Sequence, residues 1–594
     1  MLFHKEEKTE EYAPWKRHPN PQERRASWIS LNGEWSLNGQ KINIPFCPES
    51  KLSGYSGEIT DKKGRMSYKT TFTVDKSMAK WRESRFFLHF DGVDQRFTAV
   101  LNGVPVGFHE DGYTKAVFDV TESINKGLNT LKVMAVDRLD KTLPYGKQRK
   151  NNGGMWYTTC SGIWKTVWLE CVPERHISGL KLSTTLDTLH IRMNYDDFPE
   201  ESLKIRISSP TIKTEGETDA KEDFATIVTK VNQDIIDKGL TIKLSELKTN
   251  RGKELPIKNW SCEEPWLYDI TIEAGEDKLE SYFGLRTVSI KSVNGINRVM
   301  LNDKPVFLHG VLDQGYFMDG LYLPKEEEEY ERDILRMKEL GFNMLRKHIK
   351  TESDWYYYYC DIHGIMIVQD MVNSGVYRYL RDTILPTIGF KIDNAKLRTV
   401  SSKRRHNFLN HIKNVTDMLY NHPSIVAYTI FNEGWGQHTS DHYYAYLKEL
   451  DGSRLIDTTS GWFAGMKSDF DSRHIYFRLR KIQPDKKHPE QPIFVSECGG
   501  YSYGIKEHMY NPDKSYGYGA CNSVQQLSAR IMKLYDEMII PGIKNGVCGC
   551  VYTQVSDIED EINGMYTYDR ELCKVDKDVL NTIRQKINDA FDKV

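Results

Sequence analysis

The chain has 594 residues, too many for one hydrophobic core, so three or four domains are expected. Its 81 Lys and Arg nearly balance 83 Asp and Glu, which removes the electrostatic case for a nucleic-acid or anionic-membrane partner and favours a neutral one. No window approaches the ~18 apolar residues of a membrane span, and the opening MLFHKEEKTEEYAPW lacks the apolar run of a secretory signal, so a cytoplasmic protein is expected.

From about 67 to 169, apolar and polar residues alternate in short runs broken by Gly, Asn and Asp, as in RFFLHFDGV, FTAVLNGVPVGFH and TLKVMAVD, a pattern that predicts antiparallel strands. The stretch 171–285 is again strand-like (LKIRISS, DITIEAG, LESYFGL), with a polar, acid-rich insertion near 213–223, and fits a second β-sandwich. After Arg286, strands alternate with helical segments, the texture of parallel βα units. Eight strands are predicted, at 305–311, 342–348, 364–370, 424–430, 454–459, 473–477, 492–496 and 547–553. KEEEEYERDILRMKEL, SDWYYYYCDIH, FLNHIKNVTDMLYN, SVQQLSARIMKLYDEM and VLNTIRQKINDAF carry apolar residues at helical spacing and form an expected outer ring. The connections after the fifth and sixth strands are too poor in helical signal for full helices. Ten cysteines in this context read as reduced and buried, and with no CxxC pair a zinc site is not expected; Cys498, next to Glu497, reads either as a packing residue or as a point of thiol sensitivity.

Two glutamates close β-branched apolar runs: SIVAYTIFNE ends at Glu433 and PIFVSE at Glu497. In a (β/α)8 barrel both carboxylates lie at the carboxyl ends of their strands, the face that carries barrel chemistry. Glu433 follows the fourth strand and Glu497 the seventh, which face each other across the mouth. Two carboxyl groups in different environments can cleave a glycoside, one protonating the leaving oxygen while the other attacks the sugar carbon. On spacing alone, a glutamate after a strand is more often a solvated loop residue or a neighbour of a helix N-cap.

The residues around both glutamates resemble glycoside hydrolase family 2, the group of β-galactosidases, β-glucuronidases and β-mannosidases. Asn432-Glu433 in FNEGWGQ resembles that family's acid/base motif and Glu497 in FVSECGG its nucleophile motif; SGIWKTVWLE (161–170) and FDGVDQRFTAVLNGVPVGFHEDGY resemble its N-terminal jelly roll. The resemblance covers nearly the whole chain from about residue 15. It implies a jelly-roll β-sandwich (1–172), an immunoglobulin-like β-sandwich (173–286) and a catalytic (β/α)8 TIM barrel (287–594), acting with retention of configuration.

On this resemblance Glu497 attacks the anomeric carbon and Glu433 begins protonated, its ionisation opposed by burial and neighbouring negative charge. Asn432 is expected to bond the sugar 2-hydroxyl, and Arg346 in FNMLRKH and Tyr476 in RHIYF to support the nucleophile. Trp435, Trp462 and Trp156 are candidate stacking surfaces, and Asp313, His348 and Asp370 candidate groups near the glycone. Each of these also fits a structural role.

Departures from the family pattern bear on substrate. GVLDQ stands where many relatives have Arg-His after the first barrel strand, and Asp370 in VQDM is more like the mannosidase version. The glucuronidase Asn-x-Lys motif falls at Glu561-Ile562-Asn563, where Glu561 would repel a uronate. A terminal β-linked neutral hexose, galactose first, is the expected substrate of an exo-acting enzyme; β-glucoside, β-mannoside, α-L-arabinofuranoside and, less, β-glucuronide activities stay open. No cofactor or metal is implied. The rival classes are a non-catalytic carbohydrate-binding protein, which needs neither glutamate, and a metal-dependent barrel hydrolase, which would want an HxH on the first strand where only His309 stands.

Overall fold

A computed structural model of the chain describes residues 15–75, 78, 83–195, 202–213, 223–385, 400–463, 465–476, 478–486 and 488–594. Residues 1–14, most of the acid-rich insertion and Phe477 lie outside the described residues.

The first module is a β-sandwich. A four-stranded sheet (Trp28–Ser30, Val167–Pro173, Ser84–Phe90, Ala116–Asp119) faces a six-stranded one whose centre is Arg65–Val74 paired with Gly127–Val136 over ten residues. Period-two burial along Gly127–Val136 puts Leu131, Val133 and Ala135 into the core and leaves Leu128, Lys132 and Met134 facing out. A second sandwich follows. Its sheets are Ile177–Thr184 with Thr188–Tyr195 and Leu240–Lys243, and a five-stranded sheet built on Ser202–Ser208 and Trp266–Ala274.

The eight strands of the parallel barrel are β1 (Leu308–Asp313), β2 (Met344–Lys347), β3 (Met366–Asp370), β4 (Ile425–Asn432), β5 (Leu455–Ser460), β6 (Asp471–Ile475), β7 (Ile493–Gly499) and β8 (Val547–Thr553). All eight fall where the apolar runs place them. Hydrogen-bonded order runs β5-β4-β3-β2-β1-β8-β7-β6, so β5 and β6 are the two ends of the sheet and meet at a seam without a backbone ladder. The ring helices α1 (Glu328–Glu339), α2 (Asp354–His363), α3 (Ser402–Leu419), α4 (Ser440–Leu450), α5 (Val524–Leu534) and α6 (Lys577–Phe591) cover it. No helix joins β5 to β6 or β6 to β7 among the described residues, as the weak periodicity there implies. The helix α4 is one the sequence reading missed; its inward face is only Tyr443 and Leu447.

A jelly-roll segment, 139–158, crosses to the barrel mouth. Tyr145 donates its hydroxyl to the Gly375 carbonyl at 2.8 Å, and Trp156, Tyr157 and Trp164 join Tyr316, Tyr322 and Trp435 in one apolar cluster between the two modules. Burying aromatic rings across this interface fixes the segment against the catalytic face. None of the ten cysteines is in a disulfide; Cys498 is buried and points its thiol at the Val551 carbonyl. No helix among the described residues is long and apolar enough to cross a membrane.

Candidate active site

Glu433 and Glu497 face one another at the mouth of the barrel. One carboxylate oxygen of each, with a ring nitrogen of His474, lie within 4.8 Å of one another. Glu433 closes β4 in the left-handed backbone region, with φ +50°, a conformation that favours glycine and is held here by its N–H donating to the Ser460 carbonyl at 3.0 Å. His474 bridges the pair: its Nδ1 is 3.0 Å from Glu433 Oε1 and 3.4 Å from Glu497 Oε2.

Arg346, from β2, is fully buried and spends all five N–H groups. Nε and Nη2 fork onto Asp370 at 3.0 Å each; Nη1 donates to Glu497 Oε1 and to the Ser496 carbonyl, both at 3.0 Å; Nη2 also donates to Asn432 Oδ1 at 2.9 Å. The other donor to Glu497 is Tyr476, whose hydroxyl bonds Glu497 Oε2 and Thr553 Oγ1. Burial alone would push Glu497 up, but the facing His474 and Arg346 charges outweigh it and hold the carboxyl down to about 2. Burial and then the Glu497 charge push the Tyr476 phenol up, so it stays a donor. Burial and the nearby Lys147 push His348 down to about 4, and its Nδ1–H donates to Asp370 Oδ2 at 2.8 Å.

Asn432 accepts from Arg346 through its Oδ1, which leaves Nδ2 as its donor group. Asp370 is buried and accepts from Arg346 on both oxygens and from His348 on Oδ2, so it anchors those two side chains beneath the pocket. Asp313 is a correction. It is in register with Lys347, not Arg346, and shares Lys347's face, which points into the layer between strands and helices; there it accepts from Lys347 Nζ at 2.9 Å. One step along a strand reverses the side chain. The stacking surfaces also divide. Trp435 is 2% exposed, edge-packed by Tyr145, Trp156 and Tyr377 and bonded through Nε1 to the Gly375 carbonyl, so it is a pillar rather than an open platform. Trp156 is 5.2 Å from Trp435 and carries Arg149 over its ring. Trp462 lies edge-on to His474 at 5.4 Å, beside the two glutamates.

Two models of one family account for most of the chain: the glycosyl hydrolases family 2 sugar binding domain matches residues 10–173, and the family 2 TIM barrel domain matches residues 292–522. The chain belongs to glycosyl hydrolase family 2. It is 26% identical over 453 residues to a β-galactosidase of Priestia megaterium, covering 72% of this chain and 40% of that one, and 28% identical over 468 residues to a β-galactosidase of Leuconostoc mesenteroides, covering 73% and 39%. A β-glucuronidase of Bacteroides fragilis is 22% identical over 541 residues, 82% of this chain and 70% of that one. The chain thus spans about 40% of the length of these β-galactosidases. Among solved structures, the Ruminococcus gnavus β-glucuronidase superposes with a TM-score of 0.70 at 16% identity, covering 97% of this chain and 99% of that one. That likeness shows the fold.

Two site residues of this family 2 chain, His474 and Lys147, are absent from the sequence-based expectations, whereas Glu561 is among them. His474 sits two positions before Tyr476, and a strand's period of two gives both the same face, a signal that could have found it. Lys147 comes from the jelly-roll segment, where nothing local marks it; its charge acts on His348, Glu497 and Glu561 together. Glu561 is buried, bonded by the Tyr157 hydroxyl and, at 2.9 Å, by Asn563 Nδ2, while Gln314 Nε2 donates to Tyr157 Oη at 2.8 Å. Burial raises its proton affinity, with Lys147 opposing.

Proposed function

We propose that the protein is a retaining, exo-acting glycoside hydrolase that removes a terminal β-linked neutral hexose, galactose first, by double displacement. The observation that carries this reading is the short gap between Glu433 and Glu497, whose nearest ligand oxygens fall within 4.8 Å. A retaining pair works at about 5–5.5 Å, whereas an inverting pair needs about 6.5–9.5 Å to admit a water.

Glu497, charged and aimed by Arg346 and Tyr476, attacks the anomeric carbon while Glu433 gives its proton to the departing oxygen. The Tyr476 hydroxyl releases Oε2 as the ester forms. Glu433 then takes a proton from water, which attacks the same carbon from the vacated side, and configuration is retained. Asn432 Nδ2 donates to the 2-hydroxyl, a bond that strengthens as positive charge builds on the ring. His348 and Trp462 border the glycone. The domain division at 172 and 286 is part of the same proposal: the jelly roll completes the pocket with 139–158, and the middle sandwich links the two along the chain.

Galactose rests on the names of the curated relatives. One observation favours a second reading, a β-glucuronide: Lys147 stands close enough to act electrostatically on Glu497 and Glu561 and could meet a substrate carboxylate. The deciding experiment is a panel of p-nitrophenyl β-glycosides with the wild type and Glu497→Gln. Turnover of the galactoside, lost by several orders of magnitude in the variant, is the expected result; a wild type that binds galactose but turns over no panel member would leave a carbohydrate-binding protein.

A further inference from the structure

From Glu433, a continuous line of hydrogen bonds descends into the barrel. His474 Nδ1 meets Glu433 Oε1 at 3.0 Å and His474 Nε2 meets Ser460 Oγ at 2.9 Å; Ser460 Oγ is 2.8 Å from Ser496 Oγ, which is 2.7 Å from Ser472 Oγ, which is 2.7 Å from Asp457 Oδ2. Ser460, Ser496 and Asp457 are fully buried, and the other Asp457 oxygen has no partner. The line crosses the seam between β5 and β6, where side-chain hydroxyls replace the missing backbone ladder. The assigned mechanism uses none of Ser460, Ser496, Ser472 or Asp457.

Resting on the hydrolase reading of Glu433, we propose that Asp457 is a positioning residue that shares one proton with Glu433 through this wire, holding it deep in the barrel while both catalytic carboxylates are charged and returning it when the leaving group draws on Glu433.

Proton counting supports the assignment. The line has five contacts, and a neutral imidazole with three hydroxyls supplies only four protons. One further proton fills the fifth contact, whether it rests on Glu433, on Asp457 or on His474 as an imidazolium between two charged carboxylates; the two end patterns are these. With the proton on Glu433, the carboxyl donates to Nδ1, Nε2–H donates to Ser460, and each hydroxyl donates onward to an Asp457 carboxylate. With the proton on Asp457, every donor reverses and Nδ1–H points at Glu433. Passing between them breaks and makes one X–H bond at each link and moves no other atom. With that further proton absent, two lone pairs face each other somewhere along the line; with a second one added, two hydrogens do. The wire therefore stabilises the one-proton state on both sides of its pH range.

The groups facing Asp457 are consistent with a proton store. Burial raises its carboxyl to about 6, with Ser472 and the Arg346 charge opposing, the Asp370 charge assisting and His474 opposing. Glu497 at 3.4 Å favours a proton on Nδ1, which is the pattern with Asp457 protonated. The competing outlet at Ser496, the Arg473 carbonyl, is at 3.5 Å and longer than any bond of the wire.

The test is the pH profile of kcat/KM for Asp457→Asn, Ser472→Ala and Ser472→Thr, with p-nitrophenyl β-D-galactoside or the panel member the wild type turns over fastest, each variant first checked for a wild-type melt. Ser472→Ala interrupts the wire and leaves the Asp457 carboxyl in place; its acid and basic limbs are expected to move toward each other by roughly half a pH unit or more. Asp457→Asn moves the basic limb to lower pH, and Ser472→Thr, which keeps the hydroxyl, restores the wild-type profile. Superposed profiles for Ser472→Ala and the wild type overturn the relay, and so does a shift in Asp457→Asn alone, which would be a through-space charge effect. A wild type without turnover of any glycoside sinks the hydrolase reading instead, and the relay with it.

Discussion

Arg346 Nη1 donates to Glu497 Oε1 at 3.0 Å while the opposite edge of the same guanidinium forks onto Asp370, so one buried cation sits between two buried carboxylates. Replacing it by Met leaves both anions without their main partner, a situation that costs about 3–5 kcal/mol when a buried pair is broken. Because Arg346 helps hold Glu497 down, the acid limb of kcat/KM in Arg346→Met is expected to move to higher pH, with kcat/KM at its optimum lower by ~10²-fold or more. Arg346→Lys keeps a charge without the fork and should fall between the two. A pH profile with a thermal melt measures both; an unmoved acid limb would detach Arg346 from the nucleophile.

Glu433 and Glu497 are expected to fail differently when shortened. Glu433→Ala removes the proton donor, so substrates with a poor leaving group suffer most while an activated p-nitrophenyl glycoside still forms the glycosyl-enzyme. Added azide then occupies the space of the missing carboxylate and should restore turnover by at least ~10-fold, giving a β-glycosyl azide. Glu497→Ala with azide is expected to give the α-anomer. Product configuration by NMR checks both; inverted assignments of the two products would exchange the roles.

Much of this centre was legible because its signals are local. A glutamate after a β-branched run fixes both the strand and the end that carries the carboxylate, and eight such runs gave the barrel with errors of a few residues. What stayed hidden depends on partners far apart in the chain. Asp313 reads like a strand-end site residue, and only its register opposite Lys347 shows that it faces the helices. Trp435 lies two residues after Glu433, yet rings from 145, 156 and 377 enclose it. The serines of the seam carry no motif at all; β5, β6 and β7 must first meet before Ser460, Ser472 and Ser496 form a line.

Lys165, in the jelly-roll motif SGIWK, is buried against the barrel, where Nζ donates to the Glu352 carbonyl at 2.8 Å and lies 4.5 Å from the Trp164 ring centroid. Burial lowers its ammonium to about 7, with the Glu352 charge opposing and the Lys350 charge assisting. An unfolded lysine binds its proton up to about pH 10.4, so between that pH and about 7 the unfolded chain holds more protons than the folded one. This group's contribution to stability therefore rises with pH across that window. Lys165→Met should flatten the rise and melt at or above the wild-type temperature at pH 7, as expected when a buried charge gives way to an apolar side chain of similar length. A melt at pH 7 several degrees below wild type would show that the ammonium is a net stabilising group there.

Substrate charge is decided around Glu561. Its carboxyl is buried, tied to Tyr157 and Asn563, and within electrostatic reach of both Glu497 and Lys147. A uronate entering the pocket would meet one cation, Lys147, and two carboxyl groups, so p-nitrophenyl β-D-glucuronide is expected to be turned over at least ~10²-fold more slowly than the galactoside. Glu561→Gln keeps the hydrogen-bonding shape and removes the repulsion, which should raise glucuronide kcat/KM while lowering that for the galactoside. Lys147→Met should act the other way on any residual glucuronide turnover. If the wild type instead prefers the glucuronide and Lys147→Met abolishes that preference, Lys147 is the carboxylate reader and the neutral-hexose assignment is wrong.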